Sequence, residues 1–221
     1  MQETPQPSKT SPESTNLVLR SVDALLSERF VVPSYQRGYR WTPRQVTDLL
    51  KDLAEFTAAV RDQQLTPEAF YCLQPIVVAP RDDGAWEVID GQQRLTTLLL
   101  LLQANRDYLR NYLKRTPFQL RYETRERSEG FLLDPTGDDC DDNIDFFHMS
   151  QAYRTIESWL DEQDPISNNR LFDRVLDQRQ NVQVIWYELP PSHDAIDVFV
   201  RLNVGKIPLT NAELIRALFL R

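Results

Sequence analysis

The segment Trp86-Glu87-Val88-Ile89-Asp90-Gly91-Gln92-Gln93-Arg94-Leu95-Thr96-Thr97 holds the residues best placed to do chemistry. An apolar run ends on Asp90, turns at Gly91 and passes at once into a helical pattern. The first N–H groups of a helix lack intrahelical partners, and the helix dipole puts partial positive charge at that end. Gly91 removes the side chain that would keep a phosphate from the backbone, and Arg94 adds a planar, permanently charged fork. Asp90 is placed to hold a Mg2+ ion or to orient an attacking water. Gln92 and Gln93 can donate to an oxyanion or position that water. The competing reading is structural: Asp90 caps the helix, and Gln92, Gln93 and Arg94 are first-turn surface residues. Three long polar residues after Asp-Gly do little for capping, which weighs towards chemistry.

A second constellation comes earlier in the chain. Val32-Pro33-Ser34-Tyr35-Gln36-Arg37-Gly38-Tyr39-Arg40-Trp41 sets aromatic faces beside amide and guanidinium donors. That mixture suits a nucleotide base, a flipped base or a phosphate. It also suits an aromatic-anchored loop over the core, with Trp41 and one tyrosine buried, and the two readings are compatible. A third segment runs from Phe199 to Thr210, and its Asn203-Val204-Gly205 turn is ordinary turn chemistry taken alone.

Other chemistries lack their residues. The chain has no P-loop, GxGxxG, HExxH, paired CxxC or GxSxG pattern. Its two histidines, His148 and His193, sit in no triad or HNH-like setting and read as structural or surface residues. Asp138-Asp139-Cys140-Asp141-Asp142 lacks the alternation and glycine of an EF-hand, so a solvated loop is expected.

Composition narrows the setting. In 221 residues, 41% are apolar, enough for a substantial core. The longest apolar run, Leu98 to Leu102, is far short of the roughly 18 residues a membrane span needs. Residues 1–16 are polar and Pro-rich, so a disordered tail is expected, and a soluble, cytoplasmic protein with no membrane partner. Two cysteines, Cys72 and Cys140, make no disulfide framework and are expected as thiols. Thirty-three acids against 25 bases give a net charge of −8, which argues against wrapping DNA by bulk electrostatics. Arg106, Arg110 and Lys114 recur every four residues, a pattern that fits a solvated helix face.

The positioning elements are set by periodicity. Ser21 caps a short helix expected to run to Glu28, and Phe30-Val31-Val32 reads as a strand stopped by Pro33. Pro43 opens a helix whose stripe is Val46, Leu49, Leu50, Leu53, Phe56 and Val60. Residues 73–79 and 86–89 read as adjacent buried strands about the turn Asp82-Asp83-Gly84. One long helix is expected over 92–114, with Leu95, Leu98, Leu99, Leu102, Leu109, Tyr112 and Leu113 on its buried face. Residues 116–180 read as a mostly helical insertion or subdomain, with a strand at Phe118-Leu120-Tyr122 and an acidic loop over 134–145. Strand character resumes over 182–187, then a helix through Ala195 and Phe199, a loop over 203–208, and a last helix opened by the capping box Thr210/Glu213. That helix ends in mid-pattern at Leu220-Arg221, so a fragment of a longer chain is expected.

Taken in order, the loop Pro33 to Trp41, the turn Asp90 to Thr97 and the segment Leu202 to Thr210 resemble the DGQQR-motif family over residues 17–221. That family is the N-terminal domain of GmrSD-type type IV, modification-dependent restriction enzymes and of related phosphorothioate-sensing defence proteins. The resemblance implies an α+β, ParB/sulfiredoxin-like fold: a small mixed sheet with surrounding helices and a helical insertion. It implies a nucleoside-triphosphate hydrolase, with Mg2+, that couples hydrolysis to recognition or cleavage of modified DNA by a C-terminal or separate nuclease domain. It assigns catalysis to Asp90, Gln92, Gln93 and Arg94, with Asp90 on the metal. It assigns nucleotide or DNA binding to Tyr35, Gln36, Arg37, Gly91, Thr96, Asn203 and Lys206. Gln93 stands where a sulfiredoxin would carry its catalytic cysteine, which argues against that activity. The alternative is a non-hydrolysing reader of modified DNA that grips a backbone phosphate at the same turn. The sequence leaves the oligomeric state and the preferred nucleotide open.

Overall fold

Short signals set where each element begins and ends. The computed structural model describes residues 17–66, 68–176, 181–190 and 192–204. Ser21 closes strand β1 (Leu17–Ser21), and its hydroxyl accepts from Ala24 N at 3.2 Å to open the single turn α1 (Val22–Leu25). This helix stops short of Glu28, because the chain must extend again into β2 (Arg29–Val32). Helix α2 (Pro43–Arg61) starts from a capping box between Thr42 and Gln45 with proline in its first turn, and buries Val46, Leu49, Leu50, Leu53 and Phe56. Strands β3 (Tyr71–Pro80) and β4 (Trp86–Asp90) pair antiparallel across a tight turn in which Gly84 takes φ +74°.

Helix α3 (Gln92–Ala104) comes next, and the helix expected as far as residue 114 is interrupted. Asn105 leaves helical geometry at φ −127°, ψ 37°. A single turn, α4 (Arg106–Tyr108), then runs into a π-helical turn at Leu109–Leu113, and Lys114 ends it left-handed at φ 56°. The wider turn keeps Leu109 in the core but swings Tyr112 out to 76% exposure, so Tyr112 is not on the buried face. Arg106, Arg110 and Lys114 are exposed, as expected, but not along one regular helix.

Strand β5 (Gln119–Tyr122) leads to α5 (Ser128–Leu133), a 3-10 turn at Asp138–Asp141, α6 (Ile144–Asp161), α7 (Pro165–Val175), β6 (Val182–Glu188) and α8 (Ala195–Val204). The six strands make one mixed sheet in the order β1-β6-β3-β4-β2-β5, which gives the α+β architecture expected. Pairings β1–β6 and β3–β4 are antiparallel, while β3–β6, β2–β4 and β2–β5 are parallel. The described part of the stretch expected as an insertion or subdomain, residues 116–176, shares the sheet and the main core. Strand β5 is an edge of the common sheet, and α6 packs on α2 and α3 with Phe146, Met149 and Ile156 in the main core.

Neighbouring strand residues face opposite sides of a sheet. Ile76, Val78, Val88 and Trp186 meet the main core, whereas Val77 and Ile89 join Leu189 in a smaller one under Ala195, Val198 and Phe199 of α8. Helix α8 continues through Val204, so Asn203 lies in a helix and not in the loop expected there. The tail 1–16, the rest of the 203–208 loop with Lys206, the Thr210/Glu213 capping box and the last helix lie outside the described residues. Among the described residues, no helix is long and apolar enough to cross a membrane.

The pairing of β2 with β4 decides where the two chemistry-bearing loops meet. Because these strands run parallel, with Val31 beside Glu87, the loop after β2 and the turn after β4 emerge at the same end of the sheet.

Candidate functional site

Strand β4 delivers Asp90 to that end, and Gly91 makes the turn at φ +99°, ψ 5°. A Cβ at Gly91 would meet Ile76 Cγ1 at 3.1 Å and the Pro75 carbonyl at 3.2 Å, so both the backbone angle and the space call for glycine. No side chain caps α3; the first backbone bond of the helix is Leu95 N to Gly91 O at 3.0 Å. Asp90 is therefore not a helix cap, and among the described residues the amides of the first turn have no side-chain acceptor.

The polar residues of this turn are not surface decoration either. Gln93 Oε1 accepts from Arg40 N at 2.8 Å and Trp41 N at 3.2 Å, and its Nε2 donates to Gly38 O at 3.1 Å. Gln92 Nε2 donates to Arg37 O at 2.8 Å. From the other side, Gln36 Nε2 donates to Ile89 O at 3.0 Å and to Val88 O. Three glutamine amides thus bind the loop 33–41 to the end of β4 and the start of α3. Tyr39 adds a buried bond to Thr97 Oγ1 at 2.9 Å.

Arg94 is 15% exposed and largely engaged. It donates to Gln74 Oε1 at 2.6 Å and to Pro75 O, and its Nη2 lies 3.2 Å from Asp90 Oδ2. Burial pulls the Arg94 pKa down and the Asp90 carboxylate opposes that shift; an arginine remains charged throughout. Asp90 itself is 48% exposed and open to the cleft.

Tyr35 donates to Glu87 Oε1 at 2.8 Å and rests its ring on Phe199 with centroids 5.2 Å apart. Burial, reinforced by the Glu87 carboxylate, pushes its phenol well above the usual range. Arg37 is exposed at the rim, and among the described residues its guanidinium has no hydrogen bond or ion pair.

These groups line one cleft of about 890 Å³, shared by Tyr35, Gln36, Arg37, Asp90, Gly91, Gln92, Gln93 and Arg94. Gln92 is only 7% exposed, and its Oε1 has no hydrogen-bond partner among the described residues. Thr96 is not part of the cleft. It is fully buried, with its hydroxyl 2.7 Å from Tyr122 OH and 2.8 Å from Gln92 O, a packing role in the core. Asn203 lies in α8. Among the described residues, no group of three His, Cys, Asp or Glu side chains could hold a metal ion.

Two features escape inspection of the sequence. Asp145, expected at the end of the acidic loop over 134–145, is fully buried between Arg40 and Arg125, the latter at 2.7 Å. Its signal is helical: Asn143 caps α6, which puts Asp145 on the same face as Met149 and Ile156. The second is the wall facing α3, where α2 presents Asp48 and Asp52 beside Tyr71, whose hydroxyl donates to Asp52 Oδ2 at 3.0 Å.

Residues 22–220 match the family model described as GmrSD restriction endonuclease, N-terminal domain. No curated protein matches the chain.

Proposed function

For a chain that belongs to the family of the GmrSD restriction endonuclease N-terminal domain, we propose that this cleft binds and hydrolyses a nucleoside triphosphate and so controls restriction of modified DNA. Family membership makes DNA restriction, a defence role, the setting. The observation that carries the proposal is the start of α3. A left-handed glycine opens an uncapped helix onto a cleft that also holds an exposed carboxylate and the Arg37 guanidinium, which has no partner among the described residues. The first-turn amides and Arg37 would take phosphate oxygens, drawing on the helix dipole and on charge. Gln92 Oε1, an acceptor with no partner among the described residues, would orient the attacking water. Tyr35 and Trp41 supply faces on which a base can stack.

Among the described residues one carboxylate, Asp90, faces the phosphate end, so a Mg2+ ion would be shared between Asp90 and the substrate's own phosphates, as Mg2+ commonly is. It would neutralise charge on the transferred group. Arg94 acts in this reading by holding Asp90 in place, because most of its donors already have protein acceptors.

The test is inorganic phosphate release from each of the four ribonucleoside triphosphates, with Mg2+, with and without modified DNA. Turnover that vanishes in Asp90→Ala supports the reading. Tight binding of modified DNA with no phosphate release would instead make the domain a reader that grips a DNA phosphate at the same turn.

A further inference from the structure

The cleft is electrically polarised, and the polarity selects a substrate. At one end stand the open start of α3 and, among the described residues, the two guanidiniums of Arg37 and Arg94 against the one carboxylate of Asp90, which leaves that end net positive. At the other, α2 presents Asp48 and Asp52 four residues apart, one helical turn, with Tyr71 beside them. Asp52 accepts from Tyr71 OH through Oδ2, and its Oδ1 has no hydrogen-bond partner among the described residues. Among the described residues, Asp48 has one loose, exposed ion pair, with Arg44 at 3.8 Å. Carboxylates accept hydrogen bonds and repel anions. That wall therefore suits the uncharged, donor-rich part of a ligand whose charge lies at the other end. Gln92 Oε1, buried in the same cleft without a partner among the described residues, independently marks it as a place that a ligand completes.

The geometry points to a ribonucleotide, seated with its phosphates at α3 and its ribose 2′,3′-diol against Asp48 and Asp52. A vicinal diol offers two adjacent donors to a carboxylate, and acidic side chains read the ribose 2′-hydroxyl in dinucleotide-binding folds in the same way. A DNA strand carries a charge at every phosphate and lacks the 2′-hydroxyl, so it matches neither the polarity nor the acceptors of this wall. The assignment rests on the triphosphate reading of the cleft and adds to it the sugar that the site requires.

The experiment compares kcat/KM for ATP, GTP and CTP with that for their 2′-deoxy counterparts, in the wild-type chain and in Asp52→Asn and Asp48→Asn. Both positions are exposed, so neither substitution threatens the core. A charge-assisted hydrogen bond lost to the missing 2′-hydroxyl should favour the ribonucleotides by about tenfold in the wild type. That preference should fall towards parity in Asp52→Asn. Equal turnover of ribo and deoxy forms by the wild type, or a preference that survives both substitutions, overturns the ribose assignment while triphosphate hydrolysis stands. Absence of turnover with every triphosphate removes the hydrolysis reading itself, and this assignment with it.

Discussion

Arg94 Nη2 lies 3.2 Å from Asp90 Oδ2, so the acid and the base of the central motif are paired with each other before any ligand arrives. The pair spans one turn of chain across Gly91, and Arg94 also ties to Gln74 and Pro75 on β3. Arg94 is thus an anchor for the turn, and Asp90 is the member with an open side.

Asp90→Ala and Arg94→Ala should therefore behave differently in stability, although both should abolish the proposed hydrolysis. Asp90 is half exposed, and its loss should change stability by less than about 1 kcal/mol. Arg94→Ala strands the Gln74 and Pro75 acceptors and should cost about 1–3 kcal/mol. Thermal melts of the two variants beside phosphate-release assays check this; equal melting temperatures would show that Arg94 does not anchor the turn.

Gly91→Ala should damage fold and site together. The residue holds φ +99°, where an L side chain is strained, and the new Cβ would press on Ile76 and the Pro75 carbonyl. A cost of roughly 1–3 kcal/mol is expected, with the methyl also obstructing phosphate approach to the first-turn amides. Denaturant unfolding measures the first effect. Triphosphate affinity measures the second, and unchanged affinity would place the phosphates elsewhere.

Asp145→Leu should be among the most destabilising substitutions in the chain. The carboxylate is fully buried between Arg40 and Arg125, and removing it leaves two guanidiniums without their counter-charge, at about 3–5 kcal/mol. Arg40 belongs to the cleft-lining loop, so nucleotide binding should weaken too. Gly38 shows how tight this packing is, since a Cβ there would overlap the Asp145 carboxylate. Denaturation midpoints with unchanged slopes would measure the loss; a midpoint equal to wild type would mean that the buried triad contributes nothing.

The domain should lose stability at alkaline pH. Burial raises the phenol pKa of Tyr35, Tyr39 and Tyr122 above the ordinary value of 10.0, with Glu87 adding to the effect at Tyr35. A raised folded-state pKa contributes stability that is complete below pH 10 and declines as pH climbs through 10 towards the folded value, because the unfolded chain ionises first. Melting temperatures between pH 8 and 11 should fall, and less steeply in Tyr39→Phe. An ultraviolet titration showing all tyrosines ionising together near pH 10 in the folded protein would contradict this.

Local sequence determines a large share of this protein. The stripe of α2, the pair β3 and β4, the Pro33 and Pro43 boundaries and the Asp90-Gly91 turn depend on neighbours within a few residues, and local propensity sets them. Residue types alone also mark Tyr35, Arg37, Asp90 and Arg94 as candidates for one site. What lies beyond the sequence is every fact that depends on distant partners. The parallel pairing of β2 with β4 brings the two loops to one end of the sheet. The partners 53 and 55 residues away turn Gln93 into a loop tie, and the Tyr122 hydroxyl takes Thr96 out of the site into the core. Asp145 reads in the sequence as the last acid of an acidic loop, but its environment is made by Arg40 and Arg125 from other parts of the chain. Helix caps and turns are written in adjacent residues; burial and hydrogen-bond partners are properties of contacts across the chain, and those exist only once it has folded.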